Sequence, residues 1–276
     1  MSKIVEFHCV TRTDPIGSCI YCGSQDDLTD EHVIPYGISG QLILPKASCK
    51  KCAGITSAFE GTILGGFMNK ARIVGKYPTR RPKKRSTTLP LEINRSGNWE
   101  TVELPIEDHP GLMMLPRLAP PSKLVGREQG PGENYCGMDT ICFNKNYAAT
   151  LKSLGATEMR VSETYHALSF SRFLAKIAYC YAVARIGLMP REMVPILPLI
   201  LGESDDASVW VGSSDLQVQI EGSMANQVIG LGCFPNPEDN NRDMLVAHIN
   251  LFNSSGAGGQ DVIVFCPPGR IVFPNN

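Results

Sequence analysis

The sequence predicts an α+β protein in which a small metal-stapled domain at the N-terminus precedes a larger mixed α+β domain built round one long core helix. Three observations lead there. Four of the ten cysteines fall into two C-x2-C pairs, Cys19/Cys22 and Cys49/Cys52, a spacing that suits metal ligands. Residues 163–186 carry apolar positions at helical period over a length typical of a core helix. Short apolar runs with turn residues between them follow that helix and read as strands.

Composition narrows the class further. The chain has 276 residues, 43% hydrophobic and 19% charged, enough for two domains when one domain usually takes roughly 100–200 residues. No apolar run reaches the roughly 18 residues of a membrane span, and no basic stretch followed by an apolar one opens the chain, so a soluble cytoplasmic protein is expected, with no membrane partner. A formal net charge of −1 signals no polyanionic partner globally. Attraction to nucleic acid has to come from charge concentrated locally. Without an export signal, the ten cysteines point to metal in a reducing compartment and away from a disulfide framework.

The elements can be justified in order. Ile4, Val5 and Phe7 suggest a strand running into a turn at Asp14-Pro15. Its neighbours His8 and Cys9 point to opposite faces and cannot easily grip one ion. Phe59, Ile63, Leu64 and Phe67 suggest a short helix over 56–66, broken by Gly65-Gly66, and residues 1–69 form the small domain. Residues 70–86 are a basic linker or a phosphate-contacting arm: Lys70, Arg72, Lys76, Arg80, Arg81, Lys83, Lys84 and Arg85 occur with no acidic residue among them, and Pro78 and Pro82 disfavour a regular helix.

Residues 87–276 form the larger domain. Runs at 87–94 and 99–104 flank Ser96-Gly97 as a β-hairpin, and the Pro-rich 105–133 reads as an irregular connection. In the long helix Phe170, Phe173, Leu174, Ile177 and Tyr181 share a face; Ser162 is placed to cap it, and Gly187 with Pro190 to end it. His166 on that helix is read as a hydrogen-bonded structural histidine. Strands are expected at about 208–212, 216–221, 226–232, 244–252 and 261–266.

The chemistry concentrates between the cysteine pairs. Four thiolates close a tetrahedral zinc site with no position left for water or substrate, so Cys19, Cys22, Cys49 and Cys52 are expected to hold structural Zn2+ and to stabilise a segment too small for a core of its own. Within the loop they enclose runs Asp30-Glu31-His32-Val33-Ile34-Pro35, a carboxylate next to a histidine at the start of a strand-like stretch, followed by Gly37 and Gly40 in a turn.

The succession C-x2-C, Glu-His-x-x-Pro, a Gly-containing turn and C-x2-C, over residues 15–60, resembles the HNH endonuclease family, whose ββα-metal fold pins a hairpin to a helix with such a zinc knuckle. The resemblance implies that His32 deprotonates the water attacking a phosphodiester and that Glu31 helps to hold a catalytic Mg2+ or Mn2+. An imidazole near neutrality can take that proton, and a hard cation can offset charge growing on the phosphorane. The family commonly places Asn or His directly after the last cysteine as a further ligand. Here that position is Ala53, and Glu60, on roughly the same helix face two turns on, is the candidate to complete the cation site. The remainder is loosely similar to uncharacterised bacterial HNH proteins with long C-terminal extensions.

The expected activity is therefore divalent-cation-dependent endonuclease cleavage, of double-stranded DNA in the first place, with a role in bacterial defence against invading DNA. Arg80, Arg81, Lys83, Lys84 and Arg85 are the candidates to contact phosphates. One rival is a zinc-dependent nucleic-acid-binding module that does not cleave, which Ala53 favours. Another is a nuclease effector active only when a ligand or partner protein engages the larger domain; besides nucleic acid, a second copy of the chain or a partner protein is a candidate partner.

Overall fold

A helix enclosed on nearly every side organises the fold. In the computed structural model, which describes residues 4–5, 11–80, 82–127, 135–214 and 227–271, all residues from 170 to 183 of the helix Ala167–Ile186 except Arg172 are buried. A helix apolar all round needs partners all round. They come from a five-stranded sheet, from a second helix and from the segment that holds the paired cysteines.

In chain order, β1 (Ile4–Val5) precedes an antiparallel hairpin of β2 (Leu28–His32) and β3 (Ile43–Cys49). The hairpin link contains a single 3-10 turn at Tyr36–Ile38, and α1 (Lys50–Gly65) continues directly from β3. After α2 (Asn69–Val74) comes a second hairpin, β4 (Thr88–Arg95) and β5 (Asn98–Pro105). It turns over Ser96 and Gly97 at φ 51° and 89°, the paired left-handed conformation of a tight hairpin turn. Then follow β6 (Leu112–Leu118), α3 (Ser122–Val125), β7 (Tyr135–Cys142), α4 (Tyr147–Ser153), β8 (Glu158–Arg160) and α5 (Ala167–Ile186). The chain closes with α6 (Leu197–Leu201), α7 (Ala207–Trp210), β9 (Val211–Ser214), β10 (Val228–Asn236), β11 (Asp239–Asn250) and β12 (Gly259–Phe265).

The largest sheet runs β1-β10-β11-β12-β9, all antiparallel. Alternation along its strands sorts the two faces. Leu245, Ala247, Ile249, Val262 and Val264 enter the cluster round α5, whereas Met244, Val246 and Ile263 point away into a separate cluster with Leu124 and Trp210. One hydrophobic cluster runs from Cys19 through Phe59 and Phe67 to α5 and on to Val264. A smaller one, Leu91, Ile93 and Leu104, sits on the β5-β4-β8 sheet.

The mixed α+β class expected from the sequence is the class of the fold, but several elements differ. The helix expected over 56–66 begins at Lys50, because its first turn is built from the cysteine pair and not from the apolar periodicity that marks the rest. The stretch 105–133, expected to be irregular, contains β6 and α3. Its prolines conceal a strand paired only to β7, where Pro116 is tolerated because such a strand lacks a partner on its other side. The long helix starts at Ala167 with His166, not Ser162, at its N-cap. Residues 208–212 span the junction of α7 and β9. The expected strand at 216–221, and His8 and Cys9, lie outside the described residues. Among the described residues no helix is long and apolar enough to cross a membrane.

Candidate metal centre and adjoining histidine site

Two turns bring the four cysteines together. The Gly23 N–H donates to Cys19 O at 2.8 Å and the Cys19 N–H to Ser24 O at 2.7 Å, curling the chain so that Cys19 and Cys22 face the same point. Cys49 ends β3 and Cys52 lies in the first turn of α1. All four ligand atoms lie within 4.8 Å of one another, and the Cys22 and Cys49 sulfurs are 3.6 Å apart. A zinc with sulfurs at about 2.3 Å needs tetrahedron edges of about 3.8 Å, so the donor set fits such an ion. The N–H of Cys52 beside Cys49 holds that thiol down to about 7, whereas burial pushes Cys19 and Cys52 up. Without a cation, four such thiols cannot all ionise in this space. With one, they form a structural metal centre of the zinc type.

From this staple β2 runs towards the histidine. A register irregularity between Thr29 and Glu31 is filled on β3 by Lys46 at φ 49°. Asp30 ties that bulge down, accepting from the Lys46 N–H at 3.2 Å while pairing with Arg12 at 2.7 Å. Glu31 then turns into the protein, and His32 closes the strand half-buried. Glu31-His32 was expected at the start of a strand and stands at its end. The following turn is tight: a Cβ on Gly40 would lie 1.8 Å from Ile34 O, so only glycine fits.

Glu31 does not face an open gap. Lys176, in the middle of α5 and 0% exposed, places its Nζ 2.9 Å from Glu31 Oε1 and 2.8 Å from Glu60 Oε1. It also donates to His32 O, and to Val33 O at 3.4 Å. Burial alone would drive this ammonium towards neutrality, but Glu31 and Glu60 outweigh it and raise its pKa above the ordinary lysine value. The two carboxylates suggested by the sequence do converge, and what lies between them is Lys176. A divalent cation bridging the same two oxygens would overlap the ammonium, and the Ala53 side chain offers no ligand atom to build another position. The residues as arranged do not fit that metal.

The surroundings of His32 favour its neutral form. Burial lowers its pKa first, and Lys176 and Arg80 lower it further, against smaller opposing effects of Glu31 and Glu60. Its ring lies 6.4 Å from that of Tyr36, which lines a cleft of about 290 Å³ together with Ser57, Glu60, Arg72 and Arg80. The Arg72 side chain is largely committed, donating to Gly37 O at 2.6 Å and Leu64 O at 2.7 Å, and so fixes the cleft wall. Arg80 is exposed at the cleft, Lys83 is exposed beyond it, and Arg85 donates to Tyr77 O. Arg81 and the side chain of Lys84 lie outside the described residues.

The local sequence gives Lys176 no role and does not set Tyr36 apart, and it marks Arg72 only as one of the basic residues of 70–86. For Lys176 a signal existed: one lysine inside the apolar run 170–183 has to find anionic partners when the helix is buried. No protein-family model, curated protein or solved structure matches the chain.

Proposed function

We propose that this chain is an endonuclease of the HNH type that hydrolyses phosphodiester bonds of nucleic acid, double-stranded DNA in the first place, with His32 as general base. The observation that carries this reading is His32 on a hairpin joined to a helix by a four-cysteine staple, its surroundings favouring the neutral imidazole and its ring 6.4 Å from Tyr36, which lines a cleft together with Arg80. His32 takes a proton from water, the hydroxide adds to phosphorus, and the P–O bond to the leaving sugar oxygen breaks, that oxygen gaining a proton from solvent. The Arg80 guanidinium offsets charge on the phosphorane. Role in defence against invading DNA belongs to the same proposal.

The test is nicking of supercoiled plasmid by zinc-loaded full-length protein, with Mg2+, with Mn2+ and with no added divalent ion. Nicking that disappears in His32→Ala, with zinc content and circular dichroism unchanged, is expected. A second reading, binding without cleavage, is favoured by the way Lys176 fills the space between Glu31 and Glu60. Plasmid that is retarded in a gel but never nicked would establish it.

A further inference from the structure

The ion cluster beneath His32 is assembled from distant parts of the chain. Glu31 comes from β2, Glu60 from the middle of α1, the carbonyls of His32 and Val33 from the end of the hairpin strand, and the ammonium they share from α5. An ammonium carries three protons and no acceptor, and here it meets four oxygens, two of them anionic. A Mg2+ at this point would require oxygens at about 2.0–2.1 Å in octahedral order. Lys176 stands in that volume with its side chain wholly enclosed, so it has no solvent-facing position to retreat to.

We propose that Lys176 is the resident cation of the Glu31–Glu60 pair, a tethered ammonium in place of a divalent metal, and that through the carbonyl of His32 it positions the imidazole. Its use in cleavage rests on the function proposed above; its occupation of the cation position does not. Lys176 is a positioning residue, since it is closed off from substrate. The fixed charge is present in every copy of the folded chain and needs no ion from solution, so the site keeps its electrostatics when divalent ions are scarce. The price is adaptability: a lysine cannot exchange ligands with a phosphate as a metal can.

The test measures metal binding separately from cleavage. Zinc-loaded full-length protein is titrated with Mn2+ and the free-ion electron paramagnetic resonance signal is followed, for the wild type, Glu60→Gln, Lys176→Ala and the double variant. Wild type and Glu60→Gln should give superimposable titrations, because the carboxylate pair takes no Mn2+. Lys176→Ala should gain one Mn2+ site that the double variant loses. Wild-type Mn2+ binding that Glu60→Gln abolishes would overturn the proposal, and this comparison holds even if Lys176→Ala fails to fold. Plasmid left intact while the titrations behave as expected would count against the nuclease reading alone. A cleavage activity unchanged by omission of Mg2+ in the wild type, but requiring Mn2+ in Lys176→Ala, is a shift that a purely structural lysine would not produce.

Discussion

At the scale of single residues, His32 shows how surroundings select one protonation state. Its pKa lies below the ordinary histidine value because burial and then the cations Lys176 and Arg80 disfavour the imidazolium. A general base must be neutral to accept a proton, so under the proposed function cleavage should be flat across pH 7–8 and should fall on an acid limb below about pH 6.5. Arg80→Gln removes one of the cations and should move that limb upward, as a pH–rate profile would show; an unmoved limb would separate Arg80 from the imidazole. The linkage to folding has the same origin. Well above a pH of about 6.5 His32 is neutral in both the folded and the unfolded chain and its contribution is fully present, whereas from about that pH downward the unfolded chain binds the proton more tightly. The stability that depends on a neutral His32 is therefore lost as the pH falls towards the folded-state pKa.

At the scale of elements, α5 acts as the mount for the segment that carries the four clustered cysteines. Lys176, Tyr179 and Cys180 lie three and four positions apart, on one helix face. Tyr179 donates to Ile20 O at 2.7 Å, and Cys180 meets Tyr21 Oη at 3.2 Å; burial pushes the Cys180 thiol up to about 12, so it packs here as a neutral group. Tyr179→Phe keeps the ring and removes one hydrogen bond, and should cost about 1 kcal/mol in denaturant unfolding with zinc retained. Cys49→Ser removes a ligand from the centre itself, and should lose the bound zinc and lower the melting temperature, measured by metal analysis and calorimetry. Zinc retained at one equivalent in Cys49→Ser would take that residue out of the ligand set.

The same elements show what was legible in the sequence. The cysteine pairs could be read because each pair is a local device; Glu31 and His32 are marked by the resemblance of Glu-His-x-x-Pro and Glu60 by its helix face, and the two carboxylates converge on Lys176 and not on a metal. The helix α1 is legible only from Thr56 onward because cysteines and lysines, not periodic apolar residues, begin it. The partner of Glu31 was not legible. Nothing in the local pattern around Lys176 says which carboxylates it will meet, and that meeting depends on how α5 packs against the hairpin.

At the scale of the whole molecule, the sequence suggests a boundary near residues 70–86, while the hydrophobic cluster passes from the staple into the C-terminal sheet without a break. Tyr21, Ile63 and Ile38 are all 0% exposed, and α5 is the main helix packed on this region. Fully burying one such side chain contributes roughly 1.5–3 kcal/mol, and a whole domain is stable by only about 5–15 kcal/mol. Removing α5 therefore withdraws as much as a small domain has to spare, and also leaves Glu31 and Glu60 facing each other without Lys176. A fragment of residues 1–86, even loaded with zinc, should show no cooperative thermal transition, whereas the full chain should lose zinc and its tyrosine near-ultraviolet dichroism together. A sharp, zinc-dependent melt of the fragment would show instead that the staple and hairpin fold as a unit and that α5 only adds Lys176 to a finished site.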